Sequence, residues 1–256
     1  METLDRTPHA RLLLLGASNV RRALPELVRE ARWRLGSPLA VVASHGSGRS
    51  YLGPSRLLGR GLDRIAPNAF WRFEDERDAP NFALVADVGN DLAYGSPAGP
   101  IADAIRAVVE RLTRSSRVVI VGLPLASLRE LGPLRFHTVR MLLFPTRRIE
   151  RARVLAEAEE LDARLRAIAT QHGATFVAAR SEWYGLDPIH IRIRARAASA
   201  STMLETLGAR RAASQHALEL GAFSRLKPAE FSWFGTPATW PQPSASLADG
   251  TRISWI

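Results

Sequence analysis

The sequence predicts an α/β fold in which helices cover both faces of a parallel β-sheet. Short apolar runs bounded by turn residues alternate with segments of helical period over about residues 11–178. Hydrophobic residues make up 46% of the 256 residues and charged residues 23%, which is the composition of a globular domain with a sizeable core. The apolar runs number five, so we expect a doubly wound, five-stranded sheet with right-handed crossovers.

The predicted strands are separated by segments with helical patterns. Pro25 suits the first turn of a helix over 25–35, and Gly36 would end it. Apolar residues share one helical face over 101–112. The five strands are predicted at residues 11–15, 39–43, 82–87, 118–122 and 175–178.

A longer helix is predicted over about 148–171, because its apolar residues form a stripe and Gly173 stands where a helix would end. The preceding segment, 124–145, is rich in leucine but lacks a clear period. We expect it to form either a lid-like loop over the carboxyl edge of the sheet or a short irregular helix pair.

The chain is divided into a main domain, 1–208, and a C-terminal extension, 209–256, that we expect to pack on the same domain. A helix is predicted around 209–220, followed by a segment rich in proline and tryptophan. Asp249-Gly250 is typical of a two-residue hairpin turn. The strands of that hairpin would span 246–247 and 253–255.

Composition excludes several classes of protein. The chain has no cysteine, which excludes disulfides, cysteine-ligated metal centres and cysteine nucleophiles. The net charge is +10, but the cations are scattered among acids and Lys227 is the only lysine, so we interpret them as solvated surface and expect no nucleic-acid partner. No apolar run is long enough to span a bilayer. We therefore predict a soluble, cytoplasmic protein with no membrane span.

Polar residues follow the predicted strands at their carboxyl ends, where open parallel sheets bind ligands. Ser18 follows the first strand, Gly48 the second and Asn90 the third. Asp187 and His190 lie at a spacing of three, beyond the fifth strand. We expect these residues to converge on one edge of the sheet.

This set contains the parts that acyl transfer requires. A serine hydroxyl needs an imidazole to accept its proton, and the imidazole needs a carboxylate to fix its tautomer, so Ser18, His190 and Asp187 suit a triad. The main-chain N–H groups of Ser18 and Gly48 and the side-chain amide of Asn90 suit an oxyanion hole. Read singly, these residues have structural alternatives, such as a helix N-cap for the serine or a turn for the asparagine.

The four segments together resemble the SGNH hydrolases, the GDSL esterase/lipase superfamily. The matching blocks, over about residues 10–195, are Gly16-Ala17-Ser18-Asn19, Ser47-Gly48, Gly89-Asn90-Asp91 and Asp187-Pro188-Ile189-His190. The resemblance implies a flavodoxin-like, three-layer α/β/α sandwich, a Ser-His-Asp triad, no cofactor and no metal. It also implies hydrolysis of a carboxylic ester, acetyl ester or thioester, with a small-molecule acyl ester as substrate.

Two positions depart from the family pattern. Ala17 stands where an aspartate is usual, and Val88 stands where the first glycine of Gly-x-Asn-Asp is expected. We interpret Ala17 as a tolerated variation, and we expect Val88 to shape the pocket beside Asn90. The residues expected to contact substrate are Asn19, Val88, Asp91, Leu125 and Phe136.

Other residues offer competing interpretations. His45 is a rival base near the second strand, although it has no neighbouring carboxylate in the sequence. Arg192 and Arg194 would either guide an anionic substrate or stand solvated beside the histidine loop. Two further functions stay open: an acyl or acetyl transferase that uses the same triad, and a catalytically silent binding module. The oligomeric state is not determined by the sequence.

Overall fold

Eleven strands are found in the part of the chain that the computed structural model describes, residues 7–57, 59–74, 79–143, 150–209 and 218–256. They form one large sheet and one small one. The strands are β1 (Ala10–Leu15), β2 (Leu39–Ser44), β3 (Ser55–Leu57), β4 (Arg60–Leu62), β5 (Asn81–Val85), β6 (Ser116–Val121), β7 (Thr175–Val177), β8 (Glu230–Trp233), β9 (Thr236–Thr239), β10 (Ala245–Ser246) and β11 (Arg252–Trp255).

The large sheet has the strand order β10-β11-β2-β1-β5-β6-β7. Its six strands from β11 to β7 are parallel, and Leu13 of β1 lies between Val42 of β2 and Ala83 of β5. The predicted parallel sheet is confirmed, but the predicted count of five strands is wrong. The C-terminal segment adds β11 to the free edge of β2, and β10 pairs antiparallel with β11.

Helices cover both faces of this sheet, as the alternating pattern predicts. On one face α1 packs with α8, and on the other α4 packs with α7. The helices are α1 (Ser18–Leu35), α2 (Asn68–Glu74), α3 (Asn90–Ala93), α4 (Ala98–Leu112), α5 (Leu125–Arg129), α6 (Pro133–Leu143), α7 (Arg151–His172), α8 (Arg196–Met203) and α9 (Leu220–Ser224).

Strand β1 shows why two apolar layers form. Its side chains alternate between the faces of the sheet, so Leu12 and Leu14 enter one buried cluster while Leu13 and Leu15 enter the other. All four are fully buried. Because a strand covered on both faces has no solvated side, β1 is a continuous apolar run rather than an alternating one.

Helix α1 begins seven residues before the predicted start, and Pro25 lies inside it. Its N-cap, Ala17, has no side-chain acceptor for the free N–H groups of the first turn. The acceptor comes instead from Asp87, which follows β5. A local sequence pattern cannot reveal a cap supplied from 70 residues away.

The long predicted helix is confirmed as α7, which ends at Gly173 in a left-handed conformation (φ 67°). The N-terminal end predicted for it, at 148, falls outside the described residues. The segment 124–145 contains the short helices α5 and α6, the second of the two structures that we expected there. Most of the helix predicted at 209–220 also falls outside the described residues, and α9 begins where that prediction ends.

The C-terminal hairpin exists, but its turn is longer than predicted. Five residues, 247–251, separate β10 from β11, and the N–H of Leu247 donates to the carbonyl of Thr251. The extension also contributes β8 and β9 to the small sheet, whose order is β3-β4-β8-β9. In the ranges that the structure describes, no helix is long and apolar enough to cross a membrane.

Candidate active site

The loops that leave the carboxyl edge of the large sheet carry the residues identified in the sequence. Ser18 begins α1 directly after β1, Gly48 follows β2, and Asn90 begins α3 after β5. Because these three strands are parallel neighbours, their carboxyl ends meet at one edge. Ser18 is almost fully buried, with 6% of its surface exposed.

Asp187 and His190 form a hydrogen-bonded pair. Oδ2 of Asp187 lies 2.6 Å from Nδ1 of His190, and Oδ1 accepts the main-chain N–H groups of Ile189 and His190 at 3.1 and 3.2 Å. Burial alone would raise the pKa of Asp187, but the hydrogen bond and charge of His190 and the two N–H groups outweigh it and lower this pKa. The carboxylate therefore stays ionised and fixes the imidazole.

Asn19 joins the serine segment to the histidine loop. Its Oδ1 accepts the N–H of Ile191 at 2.8 Å, and its Nδ2 donates to the carbonyl of Ile189 at 2.9 Å. These two residues flank His190. Both ends of the Asn19 amide thus connect the start of α1 to the histidine loop, and its predicted contact with substrate stays a prediction.

Asp87 organises the start of α1, and sequence reasoning missed it. Its Oδ2 accepts the main-chain N–H groups of Ala17, Asn19 and Val20 at 2.7, 3.0 and 3.1 Å. Asp87 itself has a positive φ of 58°, and its side chain reaches from the loop after β5 to the first turn of α1. With the helix predicted to begin at Pro25, Ala17 was not recognised as an N-cap whose free N–H groups need an acceptor from elsewhere in the chain.

The N–H of Ser18 is bracketed by the three that Asp87 accepts. Within the described residues, the main-chain N–H of Ser18 has no protein acceptor, and neither does that of Gly48. Gly48 has a φ of 71°, a conformation that favours glycine. Both groups keep the donor capacity that an oxyanion hole requires.

The third predicted oxyanion donor, Asn90, is anchored to the loop after β2. Its Nδ2 donates to the carbonyl of Arg49 at 3.2 Å. The carbonyl of Gly48 accepts the Tyr94 hydroxyl at 2.6 Å, so the same loop is held from both sides. An amide nitrogen carries two hydrogens, which leaves one N–H of Asn90 for another acceptor.

Asp91 lies deeper than its neighbour. It is 2% exposed, and its carboxylate accepts the Ser50 hydroxyl and, at 3.0 Å, the N–H of Tyr51. Burial raises the pKa of Asp91, although these hydrogen bonds oppose that effect. Asp91 therefore holds the loop after β2, and its predicted contact with substrate stays a prediction.

An apolar cavity of about 130 Å³ adjoins these loops. Three of the residues predicted to contact substrate, Asn19, Val88 and Phe136, line it together with Asn90. Leu125 does not line it; that side chain packs instead on the core beneath α7 and α4. The other lining residues include Leu27, Leu123, Leu128, Leu131, Val154 and Met203.

The rival base His45 is buried among other groups. It is 2% exposed and stacks on Trp255 with ring centroids 4.6 Å apart, and its two ring nitrogens have no hydrogen-bond partner among the described residues. Burial, assisted by the charges of Arg49, Arg21 and Arg60, lowers the pKa of His45 well below its usual value. His45 is therefore a neutral, stacked imidazole without a carboxylate partner, and it lacks the hydrogen-bonded carboxylate that orients His190.

The two arginines beyond His190 differ in their surroundings. Arg192 donates to the carbonyl of Glu182, so its side chain braces the histidine loop. Arg194 is exposed. No group of three or more histidine, aspartate or glutamate side chains that could hold a metal ion occurs in the described ranges.

Comparisons with known proteins identify the fold. No family model matches the sequence, and no curated protein matches it. A carbohydrate acetylesterase family member from Sinorhizobium meliloti superposes with a TM-score of 0.52 and 16% identity, covering 77% of this chain and 96% of that one. The native aryl esterase of M. smegmatis superposes with a TM-score of 0.53 and 14% identity, covering 78% and 100%.

These likenesses are structural, since the identities are low. They confirm the predicted fold: the chain has a three-layer α/β/α fold that it shares with these two structures. The matched region leaves about a fifth of the chain outside.

Proposed function

We propose that this protein is an ester hydrolase of the SGNH class that works through an acyl-enzyme on Ser18. The observation that carries the proposal is the 2.6 Å hydrogen bond between Asp187 and His190, in a loop that Asn19 ties to the serine segment. A serine hydroxyl is activated as a nucleophile by an imidazole that a carboxylate orients, and Asp187 orients His190 in this way. The structural neighbours named as an acetylesterase and an aryl esterase support the same class of reaction.

The pair defines how protons would move. Because Asp187 accepts from Nδ1 of His190, that nitrogen carries the hydrogen and Nε2 is free to act as the base. Ser18 Oγ attacks the ester carbonyl carbon while Nε2 takes its proton. The alcohol then leaves with that proton. A water molecule next attacks the acyl carbon while Nε2 takes a proton from the water, and this proton passes to Ser18 Oγ as the acid is released.

The charge that develops on the carbonyl oxygen needs donors already in place. The unused N–H groups of Ser18 and Gly48 and the second N–H of Asn90 suit this role. Asp87 helps by taking the N–H groups on either side of Ser18, so that only the N–H of Ser18 itself stays available.

The acyl group has a matching place in the apolar cavity. Val88 and Phe136 line it, and Asn90 connects it to the oxyanion donors. Burial of a hydrocarbon chain there would contribute roughly 0.8 kcal/mol for each methylene removed from water. We therefore assign the apolar cavity to the acyl group of the ester and place the alcohol group outside that cavity.

Labelling with a fluorophosphonate probe tests the proposal, because the probe reacts with activated serines whatever their natural substrate. Peptide mass analysis should locate the label on Ser18, and Ser18→Ala and His190→Ala should remove it. Ser181→Ala, at an exposed serine, is the matched control and should label like the wild type. A folded wild-type protein that takes no label, or takes it elsewhere, would contradict the assignment and favour a silent binding module.

A second measurement separates hydrolysis from transfer. The acyl-enzyme can be discharged by water or by an alcohol, and the two use the same triad. Product analysis of an acetate ester with and without an added acceptor alcohol should give acetic acid as the main product in both. A predominance of the transesterified product would replace the hydrolase assignment with an acyl transferase.

A further inference from the structure

A second cavity, of about 250 Å³, lies beside the loop after β2. We call it the arginine cavity; its wall includes Arg21, Ser47, Ser55, Arg60, Trp233 and Trp255. None of the described residues that line it is acidic. It is therefore a concave surface with two guanidinium groups and two indoles.

The charge of the two arginines is not neutralised within the protein. Among the described residues, neither Arg21 nor Arg60 forms an ion pair, and Nε of Arg60 is buried without a hydrogen-bond partner. Both arginines line the same cavity, and burial together with the charge of Arg21 lowers the pKa of Arg60. An arrangement of this kind is unfavourable until an anion enters.

The neighbouring Arg49 shows the contrast. Its guanidinium donates to the carbonyl oxygens of Asp63, Arg64, His45 and Ile256 at 2.6 to 3.3 Å. These four hydrogen bonds fix the Arg49 side chain against the loop after β2. Within the part of the chain that the structure describes, the Arg21 side chain donates only to the hydroxyl of Ser47, at 2.9 Å, and the Arg60 guanidinium contacts the rings of Phe231 and Trp255 without donating a hydrogen bond.

The two tryptophans of the cavity differ in their exposure to solvent. Trp255 is 5% exposed, stacks on His45 and lies 4.6 Å from the Arg60 guanidinium carbon. Trp233, paired with Arg60 across β4 and β8, is 53% exposed. A ligand with an anionic group and a flat or hydrocarbon body would contact both features.

Two residues of the cavity, Arg21 and Ser47, belong to segments of the proposed catalytic centre. Arg21 lies one helical turn beyond Ser18, so the two share a face of α1. Its partner Ser47 precedes Gly48, the proposed oxyanion donor. The Arg21–Ser47 hydrogen bond thus joins the two segments that would hold the reacting carbonyl.

We propose that the arginine cavity binds an oxyanion group (phosphate, sulfate or carboxylate) carried by the ester substrate on its alcohol side. This inference rests on the proposed ester hydrolase function. A guanidinium suits such groups because its planar donors match two oxygens of one anion. Inorganic phosphate, as a free anion, has the same chemistry, and the test separates the two sources.

Calorimetric titration with inorganic phosphate at fixed ionic strength tests the site without turnover. The wild type and Ser18→Ala should bind with equal affinity, while Arg21→Gln and Arg60→Gln should bind about tenfold more weakly or not at all. Arg22→Gln changes the exposed neighbour of Arg21, and Arg56→Gln changes an exposed arginine on β3, the strand that pairs with β4. Both variants should bind like the wild type. Absence of saturable binding by the wild type, or equal weakening in the controls, would overturn the site.

The source of the anion is tested with two acetate esters, neutral 4-nitrophenyl acetate and anionic 4-acetoxybenzoate. The ratio of kcat/KM for the anionic ester to that for the neutral ester should fall about tenfold in Arg21→Gln and should stay constant in Arg22→Gln. If the wild type binds phosphate but this ratio is unchanged in Arg21→Gln, the cavity does not bind the substrate, and the substrate role is overturned. Since Arg21 is exposed, its variant should fold even if Arg60→Gln, which loses the contact with Trp255, does not.

The two proposals fail in different ways. If phosphate binds as expected but no label forms on Ser18, the hydrolase function is refuted and the anion site is supported. If Ser18 is labelled but phosphate does not bind, the function stands and the anion site falls.

Discussion

Asp87 and Asn19 are joined by two hydrogen bonds. Oδ1 of Asp87 accepts Nδ2 of Asn19 at 2.8 Å, and Oδ2 accepts the main-chain N–H of the same residue at 3.0 Å. The amide that is fixed in this way then reaches Ile189 and Ile191 on either side of His190. One carboxylate at the end of β5 therefore orients both the nucleophile helix and, through Asn19, the histidine loop.

Removal of this carboxylate should destabilise the protein. Asp87→Ala leaves the N–H groups of Ala17, Asn19 and Val20 without their acceptor at a partly buried helix end, so we expect a loss of about 2–4 kcal/mol in the free energy of unfolding. Urea denaturation measures it. The control Asp103→Ala, at an exposed carboxylate on α4, should change this free energy by less than about 1 kcal/mol. Similar small losses in both variants would refute the capping role.

Asn19 should act on catalysis through position rather than contact with the reacting atoms. Asn19→Ala removes the bonds to Ile189 and Ile191, so the rate of fluorophosphonate labelling at Ser18 should fall about tenfold or more. Asn19→Asp keeps only the acceptor for Ile191 and places a second carboxylate beside Asp87. Its free energy of unfolding should therefore drop more at pH 7 than at pH 5, where protonation relieves the repulsion. Labelling of Asn19→Ala at the wild-type rate would show that the histidine loop needs no such tie.

The motifs and the strands were predictable because they are local. Apolar runs place β1, β2 and β5, and the residues after each run then fall at one edge by parallel geometry. Asp87 was not recognised because the groups that it binds lie about 70 residues earlier, and its positive φ is set by tertiary contacts. The apolar pattern predicts where a strand ends, but it does not predict the direction of the side chains that follow the strand.

The C-terminal strands were hard to place for a similar reason. A tripeptide such as Ile253-Ser254-Trp255 looks like one half of a hairpin, and the hairpin is there. Its parallel pairing with β2 depends on an edge left open by the rest of the sheet, which the tail sequence does not encode. The contacts of Leu125 were missed likewise, because α5 turns that side chain toward the core.

The lowered pKa of Asp187 predicts a pH dependence of stability. A carboxyl group with a folded-state pKa below its unfolded value, about 3.9, stabilises the fold above that value and loses the contribution as the pH falls through the folded-state pKa. The difference in free energy of unfolding between wild type and Asp187→Asn should therefore be full above about pH 5 and shrink in more acidic solution.

The partner of Asp187 supplies the control for that measurement. Because the hydrogen bond and charge of His190 lower the pKa of Asp187, the same comparison in a His190→Ala background should depend less on pH. Acid denaturation followed by tryptophan fluorescence gives both curves. A difference that is constant with pH in the wild-type background would mean that Asp187 is not coupled to His190 in solution.

Val88 should control the size of the acyl group. It is 2% exposed, lines the apolar cavity and stands where the SGNH pattern has glycine. Val88→Ala removes two methyl groups, so we expect a loss of about 1–3 kcal/mol in stability and a shift in preference from acetate toward butyrate and hexanoate esters. The kcat/KM values for a series of 4-nitrophenyl esters measure this shift.

Val28 provides the matched control for that shift. It is a buried valine of α1 that belongs to the apolar cluster on the opposite face of the sheet and does not line the cavity, so Val28→Ala should lose similar stability while keeping the wild-type order of esters. If both variants shift the preference equally, the effect is general loosening of the core. If only Val88→Ala shifts it, the valine acts on the substrate by filling space beside Asn90, and the acyl group is assigned to that cavity.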